Sequence, residues 1–206
     1  MPRTAQDPDA LRARAIDEAR VLMEEGGPEA VKARAVAQAR GVSVGTVYNL
    51  FGHLGELVLA LNGQVYDALY EAVAGARAAA EAEGADASGQ MVALARAYLR
   101  FVAENSQLWG GVLAYNRASR EVPPVWYRKK ELALLGVIAE TIAGFPGAED
   151  EARRDIATRA LWAAVHGIVT ISVARGGLIA PEHEVQAQMD LVVGAVAARL
   201  AREDAG

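Results

Sequence analysis

No cysteine occurs among the 206 residues, which excludes disulfides, thiolate metal ligands and thiolate nucleophiles. Histidine is nearly as scarce, limited to His53, His166 and His183. No phosphate-binding glycine loop, dinucleotide fingerprint or serine nucleophile elbow is present. No acid, base or nucleophile is patterned for catalysis, so the chain reads as a non-enzyme without catalytic residues or a cofactor. Long apolar runs are missing as well. The stretch from Leu161 to Ala174 is interrupted by His166 and Gly167, and the opening MPRTAQDPDALRARAIDEAR is charged where a signal segment would be apolar. These absences predict a soluble, cytoplasmic protein with no membrane partner. Strand-like alternation is scarce too, while alanine is by far the commonest residue, so the expected fold class is all-α.

What is present begins between Val31 and Phe51, in VKARAVAQARGVSVGTVYNLF. Val31, Ala35, Val36 and Ala39 recur at helical spacing as an inward stripe, leaving Lys32, Arg34, Gln38 and Arg40 outside. Gly41 is the helix stop, since glycine accepts the left-handed backbone that closes a helix end, and Val42 plugs the gap between two helices. Ser43 restarts the chain as an N-cap whose hydroxyl accepts from the N–H of Gly45 or Thr46. Val47, Leu50 and Phe51 then face inward. Val44, Gly45, Thr46, Tyr48 and Asn49 are left for solvent or a DNA groove. Small residues at Gly45 and Thr46 permit close approach, Tyr48 can donate to a phosphate, and Asn49 suits a base edge or a backbone oxygen. Val44 suits a thymine methyl.

Charge supports that layout. Lys32, Arg34 and Arg40 form a basic island from Val31 to Gly52 without acidic residues, on a chain of formal charge -5 and pI near 5.3. A local basic patch on an acidic protein suits docking at one place better than general coating of nucleic acid. The pattern is that of a helix-turn-helix, and its alternative use is docking a protein partner.

Helical periodicity and breakers organise the remainder. A first helix is expected over Pro8 to Glu25, capped by Asp7, with Leu11, Ala15, Ile16, Ala19, Val21 and Leu22 apolar. After the helix-turn-helix, helices are expected over 53–80, 88–104, 107–116, 125–143, 148–175 and 181–202, separated by glycine and proline breaks. Short helices give way to long ones at about Val65. The expected domains are therefore a three-helix reading head over 8–64 and a larger helical domain over 65–206.

With these residues in place, the N-terminal part resembles the TetR family of bacterial regulators. The likeness rests on Gly41-Val42-Ser43, Gly45-Thr46-Val47-Tyr48, Phe51 and Glu56-Leu57, within about Ala10 to Leu61. It implies a DNA-binding homodimer that recognises a pseudo-palindromic double-stranded operator and responds to a small molecule, most often as a repressor. Lys32, Arg34, Ser43, Val44, Gly45, Thr46, Tyr48 and Asn49 are the candidate DNA contacts. The departures from the family pattern matter too. Leu54 stands where many members carry a phosphate-contacting lysine, Gly52 and Gly55 replace residues more often proline and glutamate, and Lys32 replaces a threonine. Asn49 also departs from the usual residue, so the operator sequence is not transferable.

The C-terminal half is similar to the ligand-sensing, dimerising half of such regulators, and Trp162-x-x-x-His166-Gly167 is similar to a signature of one subgroup. Aromatic side chains at helical spacing serve a core, but with a few polar groups they also line pockets in helical bundles. Trp109, Tyr115, Asn116, Trp126, Trp162 and His166 are the candidate ligand residues for a small, mostly apolar effector between the fourth and eighth helices. A histidine such as His166 either donates to a core carbonyl or faces a ligand. His53 and Glu56 are half of a metal site at most, and His183 between Glu182 and Glu184 is a solvated helix start, so no metal site is expected. Ile156, Ala160, Ala163, Ala164, Gly167, Ile168 and Ile171, with Val185, Met189, Val192, Val193, Val196 and Leu200, give the last two helices apolar stripes. Small residues there let helices approach, as a dimer interface needs. A small-molecule-binding helical protein whose helix-turn-helix docks another protein is the competing reading.

Overall fold

The structure, a computed structural model, describes residues 7–119, 122–174 and 177–202. Its helices are α1 (Pro8–Gly26), α2 (Ala33–Arg40), α3 (Val44–Phe51), α4 (Leu54–Ala82), α5 (Ala87–Glu104), α6 (Ser106–Ala118), α7 (Val125–Ile142), α8 (Glu151–Ser172) and α9 (Glu182–Arg202). The fold is all-α, with one minimal exception. Val173–Ala174 (β1) pairs antiparallel with Gly177–Leu178 (β2) between α8 and α9, so α8 stops short of the expected residue 175. Arg175 and Gly176 lie outside the described residues. β-branched Val173 takes an extended backbone, φ −109° and ψ 126°, which ends the helix where the pairing begins. Among the described residues no single helix is long and apolar enough to cross a membrane.

The helices start where side chains can satisfy their orphan N–H groups. Asp7 accepts from the N–H of Asp9, and Asp86 from that of Gly89. Asp150 accepts from Ala152 and Arg153, which starts α8 at Glu151 and leaves Ala148 buried in the preceding turn.

The chain forms two compact units, one comprising residues up to Tyr66 together with Gln107–Tyr127, the other Asp67–Ser106 and the residues from Arg128 onward. The sequence reading keeps 65–206 together, whereas Gln107–Tyr127 belongs with the first unit. There Trp109 and Tyr127 pack edge-on against Tyr66 of α4, with ring centroids 6.0 and 5.3 Å away.

In the first unit α1 buries Ala15, Ile16, Ala19 and Met23. The expected stripe placed Val21 inside, but it is 43% exposed. On α2 the buried residues are Ala33, Val36 and Ala37, and Ala39 is exposed, which corrects the expected Ala35 and Ala39. Val31 precedes the helix, after a 3-10 turn over Pro28–Ala30, and cannot set its phase. Leu57, Leu61 and Asn62 of α4 are all 0% exposed. Neither polar atom of the Asn62 side chain has a hydrogen-bond partner among the described residues. An orphaned buried amide costs about 1–3 kcal/mol. Asn62→Leu, which keeps the branching and removes the polar atoms, is expected to raise stability by about 1–2 kcal/mol, seen as a higher urea midpoint at unchanged slope. An unchanged or lower midpoint would show that the amide is satisfied in solution.

In the second unit α5 packs against both α8 and α9, and α8 packs against α9. Its core includes Leu69, Met91, Leu99, Ile142, Leu161 and Met189.

Candidate nucleic-acid interface and effector cavity

The helix-turn-helix is built from short-range contacts. Gly41 ends α2 in the left-handed region, φ 63° and ψ 30°, and its N–H together with that of Val42 returns to the last carbonyls of α2. Ser43 is the N-cap of α3. Of its two possible partners the structure selects Thr46, whose N–H donates to the Ser43 Oγ at 3.0 Å. The two hydroxyls are also 2.9 Å apart, so both already have a local hydrogen-bond partner. Val47 and Phe51 are buried, while Leu50 is only half-buried. Ser43, Gly45, Tyr48 and Asn49 are exposed and Val44 and Thr46 partly so, leaving one polar face of α3 for a partner.

The charged residues divide. Lys32 and Arg34 are exposed at the start of α2, where Lys32 is the extended N-cap residue, but Arg40 lies 3.9 Å from Glu18 of α1. Surface pairs of that kind partly neutralise a cation, so of these three Lys32 and Arg34 contribute more to the local positive field than Arg40.

Between α3 and α4 the departures from the family pattern acquire physical content. Gly52 has φ 74°, a value closed to proline, so its connection follows a different path from a proline-containing one. His53 caps α4, its Nδ1 accepting the N–H of Glu56 at 3.3 Å, with Nε2 3.9 Å from the Glu56 carboxylate. A capping role accounts for both residues. No group of three metal-binding side chains occurs among the described residues. Leu54 opens α4 half-buried and can offer a phosphate no charge.

Sequence spacing gave no sign of Arg12. Its Nη1 donates to the backbone oxygen of Leu50 at 2.5 Å, and its guanidinium carbon stands 4.2 Å from the centroid of the Phe51 ring. The partners are 38 residues away, beyond any helical periodicity.

The candidate ligand residues separate between the two units. Trp109, Tyr115, Asn116 and Trp126 are in the first. Asn116 donates through Nδ2 to the Tyr66 hydroxyl at 3.2 Å and accepts through Oδ1 from the Tyr127 hydroxyl at 3.1 Å. Trp109 is buried, Trp126 is 41% exposed against Tyr127, and the Tyr115 hydroxyl lies beside Gly55 in the first turn of α4.

Trp162 and His166 are in the second unit, beside a small apolar cavity of about 20 Å³. Leu69, Met91, Leu134 and Leu161 line it together with Tyr98 and Trp162. His166 stands next to that lining. Its Nδ1 is 2.7 Å from the Tyr98 hydroxyl, and its ring stacks on Trp162 at 5.0 Å and 24°. One partner of the ring is thus a side-chain hydroxyl from another helix. Tyr98, only 2% exposed, is the residue that the sequence reading left out of the site. It lies 68 positions from His166, so only the packing of α5 on α8 brings them together.

Residues 15–61 match the family described as "Bacterial regulatory proteins, tetR family", and residues 91–196 match "Tetracyclin repressor-like, C-terminal domain". The chain belongs to the TetR family. The first match runs from α1 through α3 into α4 and contains the proposed DNA contacts from Lys32 to Asn49. Solved structures of similar fold include a TetR-family transcriptional regulator from Streptomyces coelicolor, 18% identical, with a TM-score of 0.71 over 95% of this chain and 83% of that one. The TetR-family regulator PfmR from Thermus thermophilus is 21% identical, with a TM-score of 0.60 over 88% and 97%. RolR, solved with the ligand resorcinol, is 18% identical, with a TM-score of 0.62 over 97% and 95%. At these identities the likeness establishes the TetR fold. No curated protein matches the sequence. Membership of the TetR family supports a DNA-binding transcriptional regulator.

Proposed function

We propose that this chain is a cytoplasmic, homodimeric repressor that binds a pseudo-palindromic operator and is released by a small, mostly apolar effector. The observation that carries the reading is the exposed polar face of α3, from Ser43 to Asn49, inside the segment that matches the TetR DNA-binding family. Residues 8–64 would read DNA, with Lys32, Arg34 and Tyr48 on phosphates and Val44, Gly45, Thr46 and Asn49 toward the bases. Residues 65–206 would hold the effector and the dimer contact. No cofactor or catalytic group enters this scheme.

Two features support the second half of the proposal. The apolar cavity beside Trp162 and His166, which would have to open from about 20 Å³ to admit a ligand, suits an uncharged one, because burying a charge against leucine and methionine side chains without a partner is costly. RolR, of similar fold, was solved with resorcinol, a small aromatic compound. We therefore assign Trp162 and His166 to the effector site, and Trp109, Tyr115, Asn116 and Trp126 to packing and hydrogen bonding in the first unit. The effector would act by preferring the subunit spacing that no longer fits successive grooves, since a ligand shifts an equilibrium only by its differential affinity for the two states.

Selection of bound fragments from a genomic DNA pool tests the DNA reading. A regulator enriches a palindrome and binds it with affinity that falls steeply with salt. A helix-turn-helix that docks a protein enriches nothing. For the effector, uncharged aromatic compounds are expected to alter tryptophan fluorescence and raise the melting temperature, and Trp162→Ala to abolish both responses. Responses that survive in that variant would place the ligand elsewhere.

A further inference from the structure

The carbonyls at the end of a helix have no intrahelical donors, and how they are satisfied decides how firmly that end is held. At the end of α3 the Tyr48 oxygen accepts from the N–H of Gly52 at 2.7 Å, and the Phe51 oxygen from that of His53 at 2.8 Å. Both donors belong to the connection that follows. Leu50 is different, because its oxygen accepts from Arg12 of α1, on a separate helix. The same guanidinium lies over the Phe51 ring, which is itself buried on the inner side of α3. One planar cation thus holds a backbone atom and a side chain of neighbouring residues. A cation at a helix C-terminus is also favoured by the helix dipole. Two other charged ties from α1 among the described residues, Arg40 to Glu18 and Arg20 to the Gln64 side chain, join it to α2 and α4 and leave α3 untouched.

Attachment points on neighbouring residues lie about 100° apart around a helix, so together they oppose rotation about its axis more firmly than either alone. Rotation matters here. A roll of about 30° carries an atom about 6 Å from the axis through about 3 Å, the length of a hydrogen bond. Tyr48 and Asn49, on the exposed side of the same turn, would lose their alignment with a groove under such a roll. We infer that Arg12 is a positioning residue that sets the rotation of α3 and so the discrimination between operator and other DNA, without touching DNA itself. The inference rests on the proposed DNA-reading role of α3. Lysine is a poor substitute, because an ammonium can reach the carbonyl or cover the ring but has no flat fork to do both.

The test compares the parent chain with Arg12→Ala and Arg12→Lys on the selected operator and on a random duplex, across a range of salt concentrations. Arg12→Ala is expected to lower operator affinity about tenfold while changing random-duplex affinity less than about twofold, with the salt slope unchanged. Arg12→Lys is expected to recover only part of that discrimination, and it serves as the readout should the alanine variant lose helicity. Equal losses on both duplexes with a salt slope smaller by about one would make Arg12 a phosphate contact and overturn the inference. Full discrimination in the variants also overturns it while leaving the regulator reading intact. A parent chain that selects no sequence overturns both, an outcome visible before any variant is made.

Discussion

Gly45→Trp is expected to abolish operator binding, by more than about a hundredfold, in a protein at least as stable as its parent. Gly45 is exposed in the first turn of α3, and a Cβ built on it meets only the Ser43 Oγ, at 3.6 Å. Its backbone is outside the left-handed region, so nothing in the fold demands glycine there. Replacing a helical glycine removes a backbone-entropy cost of about 0.5–1 kcal/mol, so Gly45→Ala should raise the urea midpoint slightly. The requirement for a bare backbone would come from DNA. An indole projecting from this face would hold α3 out of the groove and remove the proposed base contacts together, whereas a methyl group is expected to cost about tenfold or less. Anisotropy titration of labelled operator, beside urea melts of both variants, measures the two effects separately. Unchanged affinity in the tryptophan variant would remove α3 from the interface.

The second large effect is expected at the far end of the chain. Ile156 of α8 is 65% exposed and borders a groove with Ala157, Ala160, Val192 and Val196, while Leu191 of α9 is 73% exposed. An exposed apolar surface of this kind suits a partner, and the proposed twofold dimer would place the same groove on both sides of one contact. Ile156→Arg then buries two uncompensated charges per dimer, close to the Arg153 and Arg199 that already border the groove. The variant is expected to be a folded monomer at micromolar concentration by light scattering, because the substituted side chain lies on the protomer surface. Its operator affinity should fall more than about a hundredfold, since two half-sites would no longer be bound by one linked pair of heads. A variant that remains dimeric would move the interface away from α8 and α9.

The parts of the molecule legible in the sequence were those that depend on neighbours within a turn. Ser43 caps α3 through Thr46, Asp7 caps α1 through Asp9, and Gly41 closes α2, all through contacts two to four residues apart. The phase of α2 is not legible, because Val31 is buried and apolar but lies outside the helix. The end of α8 is not legible either, because the competing β pair depends on residues beyond the apolar run. For His53 the local carboxylate suggested half a metal site, but the ring nitrogen is committed to the backbone of α4.

Sequence alone determined the helical class, the reading head and the polar face of α3, because helix caps and apolar periodicity act over a few residues and are present in the chain before it folds. Tertiary structure decided what those pieces are held by. Arg12 reaches Leu50 and Phe51, Tyr98 reaches His166, and Asn116 links Tyr66 to Tyr127, each across a separation that no periodicity encodes. It also divided the candidate ligand residues, leaving Trp162 and His166 beside the cavity and placing Trp109, Tyr115, Asn116 and Trp126 in the first unit. The physical reason is that a side chain's type limits what it can bind, but only the packing of one helix on another selects which of its possible partners comes within about 3 Å.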